Sequence, residues 1–269
     1  MICFYAINSI SATCPFRQKN MPLVKDEAFV ISATDWHETS RIIRCFARAH
    51  GRIAIVAKGI RKPRSRIGST FETFSRVQIV FYFRTGAEIF TLKEAETMEY
   101  VPELRTDLRC FAIASFFFEI LDRGLPLHER HEDVFEITRR FLSDMRLDGW
   151  RPGTAPAYFM HLVTALGFAP RLDRCAVCGQ PADVAFFDPA KGGGVCDSCK
   201  PHETGLIPLS SGLRDFMLTA MAQRGEEVLP VTSENAASEF FSLIRRFLEY
   251  HFETELKSAG FLLRQVQKS

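Results

Sequence analysis

Cys175-x2-Cys178 and Cys196-x2-Cys199 place four thiols in two short knuckles. Each tight turn offers two thiolates, and four of them satisfy a tetrahedral Zn²⁺ at about 2.3 Å. Gly179 follows the first knuckle and Gly192-Gly193-Gly194 precedes the second, which frees the backbone to wrap an ion. Four sulfurs leave no open position for water. The quartet therefore predicts one structural, non-catalytic Zn²⁺ per chain on Cys175, Cys178, Cys196 and Cys199, with His202 a bystander. The other cysteines (Cys3, Cys14, Cys45, Cys110) are scattered, so the thiol pattern speaks for metal in a reducing compartment and against a disulfide framework.

A second chemical signal is charge. Arg41, Arg44, Arg48, Arg52, Lys58, Arg61, Lys62, Arg64 and Arg66 follow one another without an intervening Asp or Glu. Over the whole chain 34 Lys+Arg face 32 Asp+Glu, a net charge of +2. The excess is thus local, and predicts one surface with an anionic partner rather than general stickiness. Gly59, Pro63 and Gly68 put the 58–66 stretch on a loop able to follow a phosphate backbone. Phe46, Phe71 and Phe74 are available to stack bases, although phenylalanine at such positions is more often core. The bland alternative for the basic run is a solvated face.

Catalysis finds little support. The histidines (His37, His50, His128, His131, His161, His202, His251) are dispersed without an HExxH pattern, and the chain lacks GxGxxG, GxxxxGK[ST] and GxSxG. Asp35 and Glu38 flank His37 in what reads as a turn between strands, where polar residues are expected.

The elements that must position these groups follow from periodicity. Ala28–Ile31, Arg41–Ala47, Arg52–Ala57, Val77–Phe83 and Glu88–Leu92 are short runs rich in Val, Ile and Phe. His50-Gly51 and Thr85-Gly86 supply turns, and the pattern predicts a small five-stranded barrel. After Pro102 the period becomes helical: Leu104, Leu108, Phe111, Ser115 and Phe118 share one face. Val134, Ile137, Phe141 and Met145 mark a second helix. Phe159, Leu162, Val163 and Leu166 mark a third, stopped by Gly167 and Pro170. Two helices are expected to close the chain, one after Ser210-Ser211 and one from Ser233. In the latter, Ala237, Phe240, Phe241, Ile244, Phe247 and Leu248 form a stripe that reads as core. The fold class is therefore α+β and multidomain. Its parts are a leader over 1–20, a barrel over 21–100, and a helical domain over 101–269 enclosing a zinc module at 171–202.

Composition agrees: hydrophobic residues are 46% and charged residues 25%, ordinary for globular chains. With 25 Phe against 5 Tyr and 2 Trp, the cores need bulk and little side-chain hydrogen bonding. The longest apolar run, Phe111–Leu121, still contains Glu119 and is far short of the roughly 20 residues of a bilayer span. Met1–Asn20 lacks the basic start of a secretory signal, so it reads as an upstream start or disordered leader before Met21.

With these residues laid out, the chain resembles a known family, the bacterial DNA repair proteins RecO. Lys25–Ser32, Glu38–Ile43 with His50-Gly51-Arg52, and above all Val56–Ser65 are similar to its barrel strands. The cysteine pairs match its zinc module, and Leu256–Leu262 looks like its closing segment. The resemblance covers about 21–264. It implies an oligonucleotide/oligosaccharide-binding (OB) barrel followed by a helical domain with an inserted four-cysteine zinc ribbon. It also implies a non-catalytic, cytoplasmic, nucleoid-associated mediator that binds single- and double-stranded DNA and anneals complementary strands. Its implied partners are RecR, single-stranded DNA-binding protein and, indirectly, RecA. Lys58, Arg61, Lys62, Arg64 and Arg66 match the barrel motif, and Arg41, Arg44 and Arg52 join them as candidate DNA contacts. The competing classes are a nucleic-acid-processing enzyme that uses the ribbon as a clamp, and a zinc-containing adaptor that binds only protein.

Overall fold

The computed structural model describes residues 21–61, 70–202, 204–223 and 233–266. The leader 1–20 and the loop cations Lys62, Arg64 and Arg66 lie outside the described residues.

Strict alternation marks β4 (Arg76–Tyr82): Val77, Ile79 and Phe81 are buried while their neighbours are half-exposed, as in a strand with one face in a core. It joins β1 (Leu23–Trp36), β2 (Ser40–Ala47), β3 (Gly51–Ala57) and β5 (Ile89–Glu99) in a closed barrel of order β1-β2-β3-β5-β4. β1 pairs with both β2 and β4, and β3 meets β5 in parallel through Ala54↔Ile89, Ile55↔Phe90 and Val56↔Thr91. This is the expected OB-type barrel. Its interior is filled by Ala28, Val30, Ile43, Cys45, Ile53, Ile55, Ile79 and Phe81, none more than 1% exposed.

β1 and β5 run well beyond their apolar segments. Their more polar ends, such as Lys25–Glu27 and Lys93–Glu99, are held mainly by backbone pairing. A β-bulge between Val30 and Ser32 bends β1 around the barrel. Arg48 lies in the turn Arg48–His50 and not on a strand. Phe46, Phe71 and Phe74 are 0%, 2% and 1% exposed, so none is available to stack a base. Phe46 and Phe74, with Phe29, instead face the helices: Phe29 meets Phe135 at 4.7 Å between ring centroids, and Phe74 meets Phe118 at 5.0 Å.

The helical part begins with α1 (Glu103–Thr106) and α2 (Leu108–Gly124). Asp107 separates them and caps α2, accepting from the N–H groups of Arg109 at 2.7 Å and Cys110 at 2.9 Å. Leu108 therefore starts a new helix and is exposed rather than continuing the apolar face of Leu104. α2 is apolar nearly all round and is the central helix, with Phe117 stacked on Phe141 of α3 (Glu132–Asp148), Phe116 on Phe159 of α4 (Thr154–Ala165), and Phe118 turned to Phe74. α5 (Ser211–Ala222) and α6 (Glu234–His251) follow, and the whole α6 stripe from Ala237 to Leu248 is buried as expected. A third closing helix, α7 (Lys257–Val266), was not anticipated. Glu253, at φ 50, breaks the chain out of α6, and α7 returns against α2.

Between α4 and α5, β6 (Val184–Asp188), β7 (Gly193–Cys196) and β8 (Ile207–Pro208) form a small sheet of order β7-β6-β8. Among the described residues, no helix is long and apolar enough to cross a membrane.

Candidate metal centre and nucleic-acid interface

The β6–β7 hairpin delivers Cys196 to the loop that carries the first knuckle. Gly194 donates to the Arg171 carbonyl at 2.8 Å, and Ala176 donates to the Gly194 carbonyl at 2.7 Å. A Cβ on Gly194 would stand 2.4 Å from Val184 Cγ2, and one on Gly193 2.7 Å from the Arg171 oxygen. The glycines therefore permit this close approach. Gly179, at φ +73, closes the first knuckle through its N–H to Cys175 O at 2.9 Å, and Cys199 N–H to Cys196 O at 3.1 Å forms the second.

The four Sγ atoms of Cys175, Cys178, Cys196 and Cys199 lie within 4.8 Å of one another. Bonds of about 2.3 Å to one tetrahedral ion would put sulfurs about 3.8 Å apart, so this donor set fits a four-sulfur metal site. Burial opposes ionisation of Cys175, but N–H groups of Cys178, Cys196 and Val177 bring its thiol down to about 6. Desolvation and the neighbouring sulfurs push Cys199 up to about 12. A bound cation's charge would favour the thiolate form of Cys199 against these neighbours. His202 is exposed and outside the set.

The basic run divides in two. At the β1–β2 turn, Arg41 Nε donates to Asp35 Oδ1 at 2.7 Å, and Arg61 Nη1 stands 3.5 Å from Asp35 Oδ2. The Arg61 N–H bonds Thr39 O at 3.1 Å, which pins the start of the basic loop against this turn. The hydrogen bond from Arg41 holds the Asp35 carboxyl below the usual range, with Arg61 adding to the effect. One exposed carboxylate therefore serves two guanidiniums. Lys58, on the same loop, is exposed and joins no ion pair among the described residues.

Arg44, Arg48 and Arg52 turn toward the helices instead. Arg44 Nη1 meets Asp122 at 2.8 Å, with half of its side chain still exposed. Arg52 Nη1 donates to the Asp122 carbonyl at 2.6 Å and also lies 3.4 Å from its carboxylate. Arg48 spans Glu132 at 2.5 Å, Glu136 at 2.8 Å and Glu27 at 3.4 Å, with its guanidinium over the Phe135 ring. At the end of this seam Leu127 bridges Arg52, and His128 N–H bonds Arg52 O at 3.1 Å.

Sequence reasoning missed the acids that receive these arginines and three cations outside the run. Arg105, Arg123 and Lys257 line, with Arg44, a cleft between barrel and helices. The one available signal was the pair of acids, Glu119 and Asp122, in the otherwise apolar α2. His50 and its neighbourhood are structural: His50 Nδ1 lies 2.7 Å from Asp26 Oδ2, and the same carboxylate accepts from Ala49 N–H at 3.1 Å.

Comparison with known families and proteins adds an independent line. The family described as Recombination protein O N terminal matches residues 21–101, and Recombination protein O C terminal matches residues 105–259. DNA repair protein RecO of Pelotomaculum thermopropionicum is 31% identical over 251 residues, spanning 91% of this chain and 95% of its own. The RecO of Anaeromyxobacter sp. (strain K) is 28% identical over 251 residues, spanning 90% and 96% respectively. That of Bacillus pumilus is 27% identical over 241 residues, spanning 86% and 88%.

Proposed function

Because this chain belongs to the recombination protein O family, whose similar members are named DNA repair proteins, we propose that it is a non-catalytic DNA-binding mediator of recombinational repair. It binds single- and double-stranded DNA through the basic edge of its barrel and anneals complementary strands. Together with RecR, it helps load RecA onto DNA coated by single-stranded DNA-binding protein, in the cytoplasm at the nucleoid. The working parts are a barrel over 21–100 and a helical domain over 101–269 that carries the metal module.

The observation that carries this reading is the charge at the β1–β2 turn: Arg41 and Arg61 share the carboxylate of Asp35, and exposed Lys58 joins no ion pair among the described residues. A phosphate backbone laid there releases counterions and meets cations already held in place. Lys62, Arg64 and Arg66 continue the same loop in sequence. Arg44 contributes through its exposed half, and Arg52 acts chiefly by holding the barrel to α2. Holding two strands together needs the same neutralisation, so annealing and binding rise and fall together.

The four-cysteine module holds one Zn²⁺ in this reading, which when bound supplies a rigid covalent-like crosslink and no chemistry on substrate.

A salt series tests the DNA reading. Each phosphate neutralised on a single strand contributes about −0.7 to the slope of log K against log salt. Lys58→Ala with Arg61→Ala should therefore make the slope shallower by about 1.4, equally for every oligonucleotide sequence. A wild-type chain that binds no DNA at low salt would reject the reading.

A further inference from the structure

The cleft between barrel and helices has a volume of about 840 Å³, within the range of about 300–1,000 Å³ usual for small-ligand sites. Its floor is aromatic. Phe74 and Phe118 are buried there, while Phe111 is half-buried and meets Phe74 edge-on at 5.8 Å.

Its charge is less balanced than its composition suggests. Of the two acids in its lining, Glu119 is spent on the start of α7, accepting from the N–H groups of Lys257 at 3.1 Å and Ser258 at 2.8 Å and from the Ser258 hydroxyl. Asp122 is held by Arg44 and Arg52. Arg105 lies 2.8 Å from Glu72. Arg123 and Lys257 are exposed and form no ion pair among the described residues. Two uncommitted cations thus stand over an apolar floor, and the cleft selects an anion that carries a flat apolar group.

We propose that this cleft holds an unpaired nucleotide of single-stranded DNA, its base over Phe111 and its phosphate between Arg44, Arg123 and Lys257. The proposal rests on the DNA-binding reading above and extends it to a second site. Proximity favours a nucleic acid over an acidic peptide: Arg44, which lines the cleft from the middle of β2, is three residues, roughly 10 Å, along the strand from Arg41 of the basic edge and on its opposite face, a step that a nucleic-acid strand spans by crossing the barrel rim. A strand lying on that edge can therefore continue into the cleft. Duplex DNA cannot enter without unstacking, so the cleft discriminates single from double strands.

The test uses the full chain and compares wild type with Arg123→Gln/Lys257→Gln by fluorescence anisotropy. The DNA probes are a short oligothymidylate, an abasic strand of equal length, and a duplex, each over a salt series, and a labelled short polyglutamate serves as the acidic-peptide probe. On oligothymidylate the variant's salt slope should be shallower by up to about 0.7, the share of the one phosphate held there, with Arg123→Gln alone giving about half of that. Duplex affinity should be unchanged. Wild type should favour oligothymidylate over the abasic strand by roughly fivefold or more, as expected for one base–aromatic contact. Unchanged single-strand binding in the variant would overturn the cleft while leaving the DNA reading intact. Equal loss on duplex would show diffuse charge and also overturn it. Loss of short-polyglutamate binding with single-strand binding retained would reassign the cleft to an acidic protein segment. Failure of wild type on all three DNAs would instead overturn the underlying reading.

Discussion

Two stretches of one basic run meet opposite fates. At the barrel–helix seam, Arg48 and Arg52 reach Glu132, Glu136 and Asp122 and become ties between elements. At the β1–β2 edge, Asp35 is the one acid that pairs with Arg41 and Arg61 among the described residues, and Lys58 finds no ion-pair partner among them. Residue type is the same in both places. What differs is whether a distant segment supplies an acid, so a run of cations defines a binding surface only after the chain has used those it needs for its own assembly.

Breaking regions one at a time sharpens that contrast. The largest effect is expected away from both, at the metal module. Cys178→Ser should remove the metal, lower the melting temperature by many degrees and reduce solubility, since metal-binding free energy is folding energy for such modules. The DNA salt slope per folded molecule should stay constant. Elemental analysis of chelator-free protein checks the premise, with one zinc per chain expected.

Gly51→Ala comes next and strikes the seam. Gly51 sits at φ +64, and a Cβ there would stand 1.9 Å from the Glu129 carbonyl oxygen. Strain and displacement of the 127–129 segment together should cost about 3 kcal/mol in denaturant unfolding. Arg52→Ala should cost about 2 kcal/mol, because it removes one of two partners from a buried carboxylate, and should leave the salt slope alone. A shallower slope with unchanged stability would invert the assignment of Arg52.

The smallest effect is a pH dependence at the edge. Asp35 has its pKa lowered on folding, so whatever stability its pairs add is present above the usual carboxylate range and is lost as pH falls through its own lower value. This exposed pair should barely move the melting temperature. Protonation would, however, release Arg41 and Arg61 to phosphates. Asp35→Asn should therefore tighten single-strand binding by about twofold at neutral pH and remove that part of the acid dependence.

Legibility followed locality. The cysteine quartet was readable because each knuckle and its glycines are neighbours in sequence. β4 was readable because one of its faces is buried and the other is not. The central segment of β1 read only as an apolar run because both of its faces are buried, Val30 in the barrel and Phe29 against Phe135. The polar ends of β1 and β5 carried no hydrophobic signal. Phe46 and Phe74 looked like possible stacking surfaces because no local pattern separates a core-facing phenylalanine from a groove-facing one. The seam was invisible for the same reason: Arg48 and Glu132 are 84 residues apart, and Arg52 and Asp122 are 70 apart. The cleft needs residues from β1, β2, α1, α2 and α7, so only the assembled chain shows it.

The most direct test of the division between edge and seam is the single-strand salt slope measured side by side for Lys58→Ala/Arg61→Ala and for Arg48→Gln. The edge variant should lose about 1.4 from the slope at unchanged melting temperature, and the seam variant should lose stability with no change in slope. Equal slope changes in the two, or a change in Arg48→Gln alone, would contradict the account.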